Sequence, residues 1–508
     1  MFALLSIISY TVAFLALSLW FLFKHNDQLR PWMGKGFMLS LAAYLGLALF
    51  LPGTTSWVAL GGHLLLLFVG GLFLNTFSGY KMVFIPMLFL MVTGYFLGMT
   101  GWGYGQVGNS NLDHLDPNSE LLVEVSNGHQ LGELESIVNQ YELVLSPAFN
   151  PADGAVTDLD DYYAVNIPEQ QEKNYEAIVA AFQNSGLIDH IEPNEILSLD
   201  PMEQQEVDLE KKNKRPYAVN DPDIGKVWGH EAMEVEALYQ WLSENKIKPK
   251  KKARIAIIDT GVDGEHEDLA DNFVSIKKEY NVDPHGHGTH CAGIAAAVSN
   301  NKLGIASFTP TPDFVEVTSV KVFGKYGNTT QKTIIEGMLL AADKGAAVLS
   351  MSLGGPATAQ GKRAYQQAVE YANKKGAIVV VAAGNENMDA SKRLPAAIDG
   401  VITVAALDND LSKASFSNDV SKLKMGIAAP GVQVYSTIPN NKYEFFNGTS
   451  MATPYVAGLV GLMKSVQPKL TTQEAYIILK NTGKETQNTT ATGALINPVN
   501  AMKSLTKK

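Results

Sequence analysis

The apolar residues of this 508-residue chain are gathered at its front, which divides the polypeptide into two physically different parts. Phe2 to Phe23 is a near-continuous apolar run without a charge, about the ~20 residues a helix needs to cross a bilayer. Gly36–Leu51, Trp57–Leu74 and Met82–Met99 repeat the pattern, the first of these being short. The expectation is a transmembrane region over residues 1–100 with about four helices. No Lys or Arg precedes the first run and more apolar stretches follow, which argues against a cleaved signal peptide. Lys24, Arg30 and Lys35 lie in the first loop and Lys81 between the last two spans, whereas Pro52–Ser56 has no basic residue. After Lys81 the next is Lys173. Positive charge stays on the cytoplasmic side, so the sequence predicts a multi-pass cell-membrane protein. Its N-terminal helices would meet lipid, and everything after Met99 would be extracytoplasmic. His63 reads as a tolerated polar residue near a helix end rather than an intramembrane site.

The length implies two or three domains. A formal net charge of -11 argues against nucleic acid as a partner, because no broad basic face can be built from it. The single cysteine, Cys291, rules out an intrachain disulfide framework.

Residues 116–200 read as a small domain. Glu120–Val125 and Tyr162–Ile167 look like strands, Leu131–Tyr141 and Asn174–Gln183 like helices, and Ile188–Leu199 like an extended ending. Strands alternating with two helices suit a ferredoxin-like α+β sandwich. Residues 201–219 are polar, with Lys211, Lys212, Lys214 and Arg215 clustered, and read as a linker to a domain over 220–508.

That last domain holds the chemistry. Ile255–Ile258 is an apolar run ending in Asp259, as in a buried parallel strand. The carboxyl ends of such strands are where α/β proteins place ligands. His285–Ala297, HGHGTHCAGIAAA, offers three imidazoles, at 285, 287 and 290, without a familiar zinc spacing. His287, directly before Gly-Thr-His, is the candidate general base. Asn447–Gly458, NGTSMATPYVAG, places Ser450 at the start of an apolar helical segment. A serine there is by default a cap, but the helix end also presents N–H groups to developing negative charge. The Asn447-Gly448-Thr449 sequon belongs to this turn rather than to a glycan site.

Taken together, DTGVD, HGTHCAG and GTSMATP resemble the three signatures of the subtilase family, in that family's order of Asp, His and Ser, over roughly Asn220–Leu505. The resemblance implies a subtilisin-like α/β fold with a parallel sheet flanked by helices, and a serine endopeptidase with Asp259, His287 and Ser450 as its triad. It implies Asn385, after the apolar Ala377–Ala383, as an oxyanion donor. It further implies Ser352, Leu353 and Gly354 as one wall of the primary specificity pocket, Ala383 and Gly384 as the other, and Gly327 on an edge that pairs with substrate backbone. Small residues on both walls suggest an open apolar pocket for large hydrophobic side chains, and Glu386 near its rim would favour a basic one. Asp268 matches a calcium carboxylate of some subtilases, but the short loop Ser299–Ser307 carries Lys302, a cation beside a dication site. The reading therefore assigns no cofactor and no metal. LIDHIEPNEIL, Leu187–Leu197, resembles the close of subtilase propeptides, which makes residues 116–200 an expected intramolecular inhibitor and folding aid. Cys291 reads as a buried inert thiol.

Overall fold

In the computed structural model the described residues are 112–199, 203–204, 219–357 and 361–507, with isolated positions 32, 35, 37 and 39. The chain forms two compact units, Met1–Asn111 and Leu112–Lys508. The four apolar stretches fall on residues 1–100, outside the described residues apart from those isolated positions. Among the described residues no helix is long and apolar enough to cross a membrane. This finding overturns the expected multi-pass, extracytoplasmic placement. The physical reason is that apolar content alone does not distinguish a span from a core helix. The long apolar helix Thr449–Val466 is buried in protein along nearly its whole length.

The second unit begins with an antiparallel sheet of β1 (Leu121–Val125), β2 (Val144–Pro147), β3 (Tyr162–Asn166) and β4 (Ile188–Pro193), in the order β2-β3-β1-β4. Helices Glu135–Gln140 and Tyr175–Asn184 intervene in sequence. Strand β1 is buried at all five positions because the sheet is covered on both faces. Leu121 and Val123 pack with Ile178 and Phe182 of the second helix. Leu122, with Ala164 and Tyr162 of β3, joins a core that includes Ile258, Ala341 and Tyr365 of the larger domain.

That domain is built on six strands: β7 (Ala253–Asp259), β8 (Val315–Lys321), β10 (Val348–Met351), β12 (Ile378–Ala382), β14 (Val401–Leu407) and β15 (Gly426–Pro430). Their order is β15-β14-β12-β10-β7-β8, and every neighbouring pair is parallel. Side chains alternate between faces along a strand. Ile255 and Ile257 accordingly meet helices His287–Ala296 and Thr449–Val466 on one side. Ala256 and Ile258 meet Gln331–Asp343 and Arg363–Lys374 on the other.

Three small ladders complete the sheets. Strand β5 (Ile196–Ser198) pairs antiparallel with β9 (Asn328–Thr330), and β11 (Gly355–Pro356) with β13 (Arg393–Leu394). The hairpin β16 (Val434–Ile438) and β17 (Lys442–Asn447) takes up β6 (Glu203–Gln204).

Candidate active site

Asp259 closes β7, fully buried, at the carboxyl edge of the parallel sheet. Its Oδ1 lies 2.7 Å from Nδ1 of His287, the first residue of its helix. The same oxygen accepts the Thr260 N–H at 2.7 Å. An anion on one imidazole nitrogen fixes the tautomer and leaves the other nitrogen outward as a proton acceptor.

The helix start is held by Asp283. Its carboxylate accepts from Thr260 Oγ1, from the backbone of His285 and Gly286, and from both the backbone N–H and the hydroxyl of Thr289, all within 2.8–3.0 Å. Such a cap satisfies amides that have no partner inside the helix. Gly288 lets the helix approach β7: a β-carbon there would sit 2.1 Å from the Gly261 carbonyl and 3.2 Å from Asp259 Cβ.

Ser450 is the second residue of helix Thr449–Val466, and Gly448 turns the chain into it at φ +151°. Pro454 stands four residues further on, inside the helix. It has no N–H to give the Ser450 carbonyl. That carbonyl instead accepts Ser352 Oγ at 2.8 Å and Cys291 Sγ at 3.5 Å. Cys291 lies one turn beyond His287, so the missing helical bond ties the serine turn to the histidine helix. Ser450 Oγ is 3.3 Å from the Ser352 carbonyl.

Asn385 completes the group. Its Oδ1 accepts both the backbone N–H and the hydroxyl of Thr449 at 2.9 Å. A backbone N–H can only donate, so the amide orientation is set and its NH2 points away from Thr449.

The sequence model of the subtilase family matches residues 250–497. Thermitase of Thermoactinomyces vulgaris is 39% identical over 255 residues, covering 49% of this chain and 86% of its own. The chain belongs to the subtilase family. Subtilisin DY of Bacillus licheniformis is 41% identical over 236 residues, covering 45% of this subtilase and 82% of its own length. M-protease of Shouchella clausii is 31% identical over 384 residues, covering 71% and 96%. A solved protease of Pseudoalteromonas arctica aligns with a TM-score of 0.50 at 26% identity, covering 57% of this chain and 99% of that one. This subtilase is a subtilisin-like serine protease, a hydrolase.

Two histidines of the HGHGTH stretch have other duties in this subtilase. His290 is fully buried, stacks on Phe446 at 4.4 Å and meets the Glu444 carbonyl, and burial pushes its pKa down to about 3. His285 meets the Gly324 carbonyl at 3.1 Å.

Oxygen, nitrogen and sulfur of Asp259, His287 and Cys291 lie within 4.8 Å of one another, a geometry that could also hold a metal. The fit is poor. Burial drives the Cys291 thiol well above its ordinary range, away from the thiolate a metal needs, and the Asp259–His287 bond occupies two of the ligand atoms.

Calcium at Asp268 fits no better. Asp268 Oδ1 accepts from Asn301 Nδ2 at 2.7 Å and Oδ2 from the Ile305 N–H at 2.9 Å. The Asn301 amide is fixed in that sense by the Leu303 N–H, which donates to its oxygen. Hydrogen-bond donors thus face the carboxylate where a hard cation needs oxygens. Burial raises the Asp268 pKa to about 7.

The loops expected as pocket walls follow β10 and β12, and an arginine–carboxylate pair lies against both. Arg393 of β13 donates Nη2 to the Gly354 carbonyl at 3.0 Å and pairs with Glu386 at 3.0 Å. Glu386 also accepts Asn418 Nδ2 at 2.7 Å. The expected pull of Glu386 on a basic substrate side chain is therefore offset by an arginine already beside it. Sequence reasoning missed Arg393 and Asp283. Asp283 carried a signal, an Asp shortly before a helix start; Arg393, eight residues after Asn385, matches no motif pattern and carried none.

Gly327 directly precedes β9. Its carbonyl accepts the Leu199 N–H at 2.7 Å, next to the β5–β9 ladder.

Proposed function

We propose that Asp259, His287 and Ser450 hydrolyse peptide bonds through an acyl-enzyme. Ser450 Oγ attacks the carbonyl carbon while His287 takes its proton, then returns it to the leaving amine. Water repeats the sequence in the second half and releases the acid. Asp259 holds the imidazole in the required tautomer and stabilises its cation. The Asn385 NH2 and the Ser450 N–H at the helix start donate to the oxyanion. The observation that carries this reading is the buried 2.7 Å Asp259–His287 bond inside a subtilase site.

The same proposal makes residues 116–200 a ferredoxin-like propeptide domain that inhibits the enzyme and is cut from it between Leu197 and Val219. The strand order β2-β3-β1-β4 supports the ferredoxin-like assignment, and the M-protease match is longer than residues 250–497. Docking chemistry supports the inhibitor role. Glu192 Oε1 accepts the Ala364 N–H at 3.2 Å and Asn194 Oδ1 the Lys332 N–H at 3.0 Å, capping two helices of the catalytic domain. Arg363 Nε meets Glu124 at 2.7 Å. Strand β5 adds to β9 as a substrate strand would, with Leu197 close against Gly355 in the core that includes Leu353.

Wild type expressed beside Ser450→Ala tests the proposal. A shorter C-terminal fragment in wild type alone is expected. The same fragment in both removes self-processing, and no fragment in either removes the cleavable propeptide.

A further inference from the structure

Arg393 has no part in the reading above, yet it stands between the two wall segments. Besides its bonds to Gly354 and Glu386, it approaches the second wall closely: a β-carbon on Gly384 would lie 3.3 Å from its Nε. The side chain is largely buried, at 12% exposure against 35% for Glu386.

The partners of this pair are unequal. Both Glu386 oxygens are engaged, Oε1 by Arg393 and Oε2 by Asn418. Asn418 is itself fixed, because its Oδ1 accepts the Glu386 and Met388 N–H groups. Arg393 Nε, by contrast, is buried with no hydrogen-bond partner among the described residues. A guanidinium has five donors and no acceptor, and a buried donor left unpaired is costly. The unmet demand of this recess is for an acceptor. A large apolar side chain would cover the guanidinium without supplying one, whereas a carboxylate brings acceptor oxygens to the donors that Glu386 and Gly354 leave unmet.

We infer that Arg393 makes the recess walled by Ser352–Gly354 and Ala383–Gly384 select an acidic side chain, Glu or Asp, immediately N-terminal to the cleaved bond. This rests on the protease reading and deepens it by naming the substrate class.

Full-length protein assayed on four fluorogenic peptides, differing only in Glu, Gln, Phe or Arg before the scissile bond, reads the selection. Glu should exceed Gln in kcat/KM by about ten- to a hundredfold, the scale of a charge-assisted bond. Arg393→Gln should bring that ratio near one while retaining hydrolysis of the Phe peptide, and Arg393→Lys should keep part of it. Equal rates for Glu and Gln in wild type, or an unchanged ratio in Arg393→Gln, overturn the inference. If the chain carrying Leu197→Ala, which loosens the inhibitory domain, also cleaves none of the four and matches Leu197→Ala with Ser450→Ala, the protease reading fails instead. Calorimetric binding of Glu- and Gln-ended product peptides to Ser450→Ala that also carries Leu197→Ala then decides the recess by itself: tighter Glu binding supports the inference, and equal affinities or no binding of either refute it.

Discussion

Asn385 accepts the Thr449 backbone N–H at 2.9 Å, so the residue before the candidate nucleophile sets the orientation of the candidate oxyanion donor. Donor and nucleophile are thereby registered to one another by a single bond between two loops. Asn385→Ala should lower kcat about a hundredfold or more with little change in KM, a magnitude established on a subtilisin and so not independent of the family. Asn385→Asp should not rescue it, since a carboxylate offers no N–H. Steady-state kinetics on a small peptide checks both; a KM effect alone would place Asn385 in ground-state binding.

Asp283 organises the start of the His287 helix through five donors. Its replacement by Ala leaves the Thr260 and Thr289 hydroxyls and three amides without that acceptor, a loss of about 1–3 kcal/mol or more. Thermal unfolding in the Ser450→Ala background should show a clear fall in Tm, and activity in the otherwise wild-type chain should fall with it. An unchanged Tm would mean that water replaces the carboxylate without loss.

Burial lifts Asp268 from 3.8 to about 7. The folded chain then holds one more proton than the unfolded chain between those values. The contribution to stability is fully present below the ordinary carboxylate range and is lost as pH rises through about 7. Asp268→Asn lacks this titration. The stability of the parent relative to the variant should therefore drop from pH 4 to 7, by at most about 1.4 kcal/mol per pH unit. Denaturant unfolding of both in the Ser450→Ala background measures it; a flat difference would mean that Asp268 titrates normally.

Leu197 is buried against Gly355 in the core that includes Leu353. Leu197→Ala should weaken the hold of the N-terminal domain by about 2 kcal/mol. The full-length chain would then hydrolyse a small peptide roughly 30-fold faster than its parent. No change in rate would show that the domain does not restrain the site through this side chain.

The parallel sheet and its chemistry were legible because β7 is a bare apolar run ending in Asp259, and because glycines that crowd backbone, such as Gly288, cannot be exchanged freely. Strand β2 was not legible: it is an edge strand with Val144 largely exposed, so it shows no burial pattern. The Leu131–Tyr141 helix was anticipated, but its first turn is a tighter 3-10 helix, Leu131–Leu134. Arg393 could not be placed because its partners Gly354 and Glu386 become its neighbours only through the β11–β13 ladder. Reading the four apolar stretches as membrane spans rested on apolar length, and no described helix supports it.

The central claim is that Ser450 is a nucleophile activated by His287. Treating the full-length protein with a fluorophosphonate and mapping the adduct by mass spectrometry tests it most directly. The adduct should sit on Ser450, and labelling should fall by orders of magnitude in His287→Ala and strongly in Asp259→Asn. An adduct elsewhere, none at all, or undiminished labelling of His287→Ala would contradict the account.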